Sequence, residues 1–261
     1  LDLSRALAHG EGTMRTPQSY DDGLAAKPGA LNELALTLPV FLAYQVGVAF
    51  LGVRNATDMV TSELLEIARG DRLTYLLLTV GIGIVLSLVF AVLGRGQALR
   101  PTKLVQIAFE GAAYAIAMGA ATSWIIGKMF AGVPGVWMPP FTGLVMSLGA
   151  GFYEELAFRV VLFGVGAKLL VWLVAGQHLA LVGRSPRLSW KAIAVMAGWA
   201  AACAAGFSAM HYVGALGEPF ELRSFVARAV LGLALTLVYA TRGFAAAVWT
   251  HALYDVWVLV L

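Results

Sequence analysis

Two adjacent carboxylates and an arginine interrupt a long apolar run at Gly151-Phe152-Tyr153-Glu154-Glu155-Leu156-Ala157-Phe158-Arg159. A charged side chain at a bilayer centre costs about 2.5–3.5 kcal/mol on insertion scales, so such a cluster needs a reason. On a helix Glu155 and Arg159 stand one turn apart and neutralise each other. Glu154 points about 100° further round the helix, toward a different partner. Two neighbouring glutamates cannot both ionise freely in a low-dielectric site without a cation. With Arg159 holding Glu155 as the carboxylate, Glu154 is the acid left to exchange a proton, as a general base must.

The other ionisable residues of the apolar runs are few: Glu110, His211, His251 and Asp255. Such residues face a bundle interior or a wet cavity, so these groups are expected to converge. Phe207 and His211 share one helix face. Beside it Gly198, Ala202 and Gly206 form a small-residue ridge that predicts close approach of a neighbouring helix. His251 and Asp255 repeat the one-turn spacing. A histidine beside Glu154 could share a water with it. A second histidine and a hydrogen-bond donor could meet the oxyanion formed when that water attacks a carbonyl. Base, water-positioner and oxyanion donors together specify amide hydrolysis. Ser208, three residues before His211 on the same helix, has poor geometry for a nucleophile and its base. The competing chemistry is zinc, with Glu154, His211 and His251 (and Asp255) as ligand types. No His-Glu-x-x-His signature supports it, so no cofactor is favoured.

The elements that must position these groups follow from composition. Sixty per cent hydrophobic residues, 13% charged residues and a mean hydropathy of +0.80 describe a multi-pass membrane protein. The net charge of +3 and the lack of basic runs interleaved with aromatics exclude a nucleic-acid partner. One cysteine, Cys203, excludes an intramolecular disulfide framework and reads as packing. Apolar runs near 34–53, 73–93, 104–127, 142–173, 190–214, 225–240 and 244–260 predict an all-α bundle of about seven spans. The fourth run is too long for one straight span and predicts a tilt, a break or an extension. Thr241-Arg242-Gly243 predicts a tight hairpin with Gly243 as helix cap.

Residues 1–30 read as a polar tail without the apolar core of a signal peptide, and Met14 is a candidate start. Residues 31–261 read as one transmembrane domain. Between the first two spans, Val60, Leu64 and Ile67 predict a short helix on the membrane surface with one apolar face. The triplet Asn55-Ala56-Thr57 fits a glycosylation sequon, a pattern too common to carry weight. Gly132-Val133-Pro134 and Pro139-Pro140 punctuate the entry to the fourth span, where Trp137 suits the interface. Basic links at Arg95, Arg100 and Lys103 and at Arg184, Arg187 and Lys191 place the N-terminus in the cytoplasm. Glu110 is expected to pair with Arg159 or bend toward the interface, and His178 to be solvated.

Glu154-Glu155-x-x-x-Arg159, then Phe207-x-x-x-His211, then His251-x-x-x-Asp255, on successive late helices, resembles the CPBP family over roughly residues 140–261. These are the CAAX-processing and bacteriocin-processing intramembrane proteases, also called Abi. The resemblance implies a helical membrane core with endopeptidase activity on a membrane-associated protein or peptide. It implies Glu154 as the residue that activates water and His211 as its partner. His251 and residue 255 would stabilise the oxyanion, and Glu155 and Arg159 would organise the site. Prenyl-protein-processing members often carry Asn at the last position, where this chain has Asp255. An ionised carboxylate cannot donate a hydrogen bond. The resemblance favours glutamate over zinc dependence, and the high Ala, Gly and Leu content hints at a bacterial plasma membrane. The alternatives are a non-catalytic protein of the same fold, serving immunity or scaffolding, and a proton-coupled transporter. A transporter shows paired repeats in both halves, whereas the polar groups here crowd into the second half.

Overall fold

Small residues decide where these helices meet. The computed structural model describes residues 27–55, 58–129, 138–179, 187–214 and 217–261. Helices run α1 (Ala30–Leu51), α2 (Met59–Ile67), α3 (Arg72–Leu93), α4 (Pro101–Met129), α5 (Pro140–Gly149), a π-helical segment (Ala150–Val165), α6 (Gly166–Ala175), α7 (Trp190–Met210), α8 (Leu222–Arg242) and α9 (Phe244–Leu259). Among the described residues, six helical stretches are long and apolar enough to cross a membrane, with α9 a shorter apolar helix. The chain is an all-helical, multi-pass membrane protein. The residues expected to form a polar tail up to position 26, Gly132 to Trp137, and Arg184 lie outside the described residues.

α9 is the central pillar. At about 1.5 Å per residue it measures about 24 Å, short of the roughly 30 Å bilayer core. A helix walled in by others need not face lipid, and Ala245, Ala246, Ala247 and Val248 have no exposed surface at all. Glycines let its neighbours close in. A Cβ on Gly111 of α4 would stand 2.8 Å from Trp249 Cβ, and one on Gly151 of the π segment 2.7 Å from Ala252 Cβ. The N-terminal amides of α9 are capped by α1: the Glu33 carboxylate accepts from Phe244 N (3.2 Å) and Ala245 N (2.5 Å). Gly243 makes the turn from α8 with φ 97°, as its position in the hairpin required.

The long fourth run resolves its excess length by widening, not by breaking. α5, the π segment and α6 form one continuous helical stretch from Pro140 to Ala175. Its far end is braced by α7, where Trp199 Nε1 donates to Leu162 O at 3.0 Å.

The packing corrects two expectations. The ridge Gly198, Ala202 and Gly206 faces no neighbour among the described residues: Gly198 and Ala202 are exposed, and none of them lies within 4 Å of a Cβ placed on Gly198 or Gly206. The close approach happens on the adjoining face, where Gly232 of α8 packs against Ala204 and Phe207. Phe207 and Cys203 are the larger apolar residues there, and burying them outweighs the backbone proximity that the small ridge permits. On α2, Leu64 faces inward with Thr61 and Ala68, while Val60 and Ile67 are exposed. The inward face is chosen by polar partners, since Thr61 Oγ1 meets Gln45 Nε2 of α1 at 3.1 Å. Met59, Val60 and Ile67 then point away from the core.

Candidate active site

Wide π turns, rare elsewhere, recur at functional sites. The π segment carries Glu154, Glu155 and Arg159, which are 5%, 0% and 1% exposed. Glu155 is the hub. Its Oε1 lies 2.7 Å from His251 Nδ1, and its Oε2 lies 3.2 Å from Arg159 Nε. A carboxylate only accepts, so the histidine proton sits on Nδ1 and is donated to Glu155. The Arg159 Nε–H is not aligned on the oxygen, and this contact is coulombic rather than a hydrogen bond. The guanidinium is steadied from its other sides. Its Nη2 donates to Gly232 O at 3.4 Å, and its Cζ lies 4.4 Å from the Phe207 ring centroid. A desolvated cation–π contact of this kind is worth about 2 kcal/mol.

The other ring nitrogen of His251 faces the remaining acids. Its Nε2 is 3.9 Å from Glu154 Oε2 and 3.6 Å from Asp255 Oδ2. Both exceed hydrogen-bond length, so the imidazole sits between two carboxyls without being committed to either.

Phe207 is the partition. Its ring meets His211 edge-on at 5.3 Å, His251 at 6.0 Å and Phe158 at 5.2 Å between centroids. His211 follows the last residue of α7, half-buried, with Nδ1 3.0 Å from Phe207 O. Glu154, Glu155, Arg159, His251 and Asp255 therefore form one cluster, with His211 beside it across Phe207. Among the described residues no direct hydrogen bond joins His211 to Glu154. No three His, Cys, Asp or Glu side chains among them stand together as a metal site.

Glu110 does not reach Arg159. It pairs with Arg242 of α8, through Nε to Oε2 at 2.7 Å and Nη2 to Oε1 at 2.8 Å. A two-pronged guanidinium next door is a better partner than one already engaged with Glu155. His178 is exposed beside Trp172, as expected.

The site also has a neutral member, which a count of ionisable groups misses. Asn55, on the loop between α1 and α2, donates from Nδ2 to Glu154 Oε1 at 3.0 Å. Behind it lies a buried polar network: Gln45 Nε2 donates to Tyr153 OH at 2.5 Å, and Tyr75 OH donates to Gln45 Oε1. A glutamine inside an apolar span was the available signal, since neutral amides also need partners in a bilayer.

Fold and site together define a multi-pass helical membrane protein with a buried acid–histidine cluster. The family described as type II CAAX prenyl endopeptidase Rce1-like matches residues 136–257, and that segment is similar to the CPBP/CAAX proteases. The matched segment holds both glutamates, Arg159, Phe207, both histidines and Asp255. No curated protein and no solved structure matches the chain.

Proposed function

We propose that the chain is an intramembrane endopeptidase that hydrolyses a peptide bond of a membrane-associated protein or peptide with water activated by Glu154. One observation carries the reading. Glu154 is buried with one carboxylate oxygen held by Asn55 and the other turned toward His251. In the step, Glu154 takes a proton from water as the water oxygen bonds to the carbonyl carbon. The carbonyl electrons move to oxygen, where an imidazole N–H is the available donor, from His251 Nε2 when it is protonated or from His211. The tetrahedral centre collapses, the C–N bond breaks, and the amine leaves with the proton Glu154 had taken. Glu155 and Arg159 keep the His251 ring in its orientation and do not touch the reacting atoms.

Glutamate dependence without zinc, a bacterial plasma membrane and a cytoplasmic N-terminus belong to this reading. The identity of the substrate follows from a comparison of membrane-peptide fragments in cells carrying the wild-type chain and Glu154→Gln. A fragment set present only with the wild type names the substrate. Identical fragment sets would count against proteolysis.

A further inference from the structure

Asn55 lies outside the segment matched by the protease family, yet its carboxamide donates a hydrogen bond to Glu154 at 3.0 Å. Its side chain is 7% exposed. A carboxylate accepts and never donates, so the amide nitrogen, not its oxygen, faces Glu154. The residue is fixed at both backbone ends. Its N–H donates to Tyr44 OH at 2.9 Å, and its C=O accepts from Asp58 N at 3.2 Å. Tyr44 is wholly buried, with its ring edge-on to Tyr153 at 5.6 Å. It packs where a Cβ on Gly149 would stand 2.3 Å from its Cε2. Asp58 is in turn the N-cap of α2, accepting from Thr61 N at 2.8 Å. Asn55 is therefore held against the π segment on one side and α2 on the other, with its carboxamide delivered to one oxygen of one acid.

We propose that Asn55 is a positioning residue for Glu154. By occupying Oε1 it fixes the plane of the carboxylate and leaves Oε2 as the oxygen presented to the attacking water. The inference rests on the reading of Glu154 as the base. It adds that α1 and the loop after it, outside the family segment, set the orientation of that base.

The test uses the full chain in lipid vesicles, with a membrane-associated peptide that it cleaves and Glu154→Gln does not. Asn55→Asp keeps the shape but replaces the donor with an acceptor. It is expected to lower kcat by about 10- to 100-fold, the cost of a misplaced reacting group, with KM within about twofold. Asn55→Gln, which retains a donor on a longer arm, recovers part of the kcat that Asn55→Ala loses. Tyr44→Phe, which leaves the carboxamide but frees the loop, falls between wild type and Asn55→Ala. If Asn55→Asp does not fold, the Gln and Ala variants carry the comparison. Unchanged kcat in Asn55→Asp, a loss confined to KM, or equal loss in the Gln and Ala variants would each overturn the proposal. A wild-type chain with no Glu154-dependent cleavage would overturn the protease reading and this inference together. Normal cleavage with an indifferent Asn55 would overturn this inference alone.

Discussion

His251 and Glu155 are joined across two helices by a bond of 2.7 Å between Nδ1 and Oε1, with the carboxyl fully buried and the ring 6% exposed. That contact ties α9 to the π segment and sets which face of the imidazole meets Glu154 and Asp255. Glu155 also sits against a buried guanidinium. Removing it leaves Arg159 without its counter-ion.

Glu155→Ala is accordingly expected to destabilise the protein by about 3–5 kcal/mol, the cost of breaking a buried ion pair from one side. Thermal unfolding in detergent checks this. The conservative Glu155→Gln keeps an acceptor and should unfold less readily than Glu155→Ala.

Asp255→Asn should retain activity within about tenfold, because the carboxyl stands 3.6 Å from His251 Nε2 and makes no short bond there. A carboxamide in its place removes one of three crowded acids and supplies a donor. Cleavage rates with and without a strong chelator check two points together. Asp255→Asn should stay active, and the wild type should be unaffected by the chelator.

Gly151→Ala should push α9 away from the π segment. The added methyl carbon would meet Ala252 Cβ at 2.7 Å and Val248 O at 2.9 Å, with backbone among the obstacles. Overpacking of this kind costs about 1–3 kcal/mol. Because His251 precedes Ala252, activity should fall further than stability alone explains. Parallel melting curves and cleavage rates test this.

Asp58 gives a pH signature outside the spans. Burial pushes its carboxyl above the ordinary range, although bonds from Thr61 oppose that. The unfolded chain therefore releases this proton at a lower pH than the folded one. Stability falls as pH rises through that interval, up to the raised folded value. Asp58→Asn preserves the cap on α2 and removes the buried acid. Its melting temperature should lose this part of the pH dependence, as melts across the mildly acidic range would reveal.

The spans were legible because an apolar run of about 20 residues, wound as a helix, matches the thickness of a bilayer core. The cluster was legible because ionisable groups are rare in such runs, and their one-turn spacings put Glu155 by Arg159 and His251 by Asp255. Other features were not. Glu110 found Arg242, a partner far along the chain that no local spacing announces. The ridge at Gly198, Ala202 and Gly206 had the pattern of an interface, but the helix turned its larger apolar face inward instead. Asn55 was hidden because its bond to Glu154 spans 99 residues and a neutral amide carries no charge to count.

The most direct test is cleavage of a membrane-associated peptide by purified protein in vesicles, comparing wild type with Glu154→Gln at matched folding. Cut product is expected from the wild type, with a loss of at least about 100-fold in the variant, in the range general-base catalysis contributes. Cleavage by Glu154→Gln at the wild-type rate would contradict the assignment of Glu154 as the base.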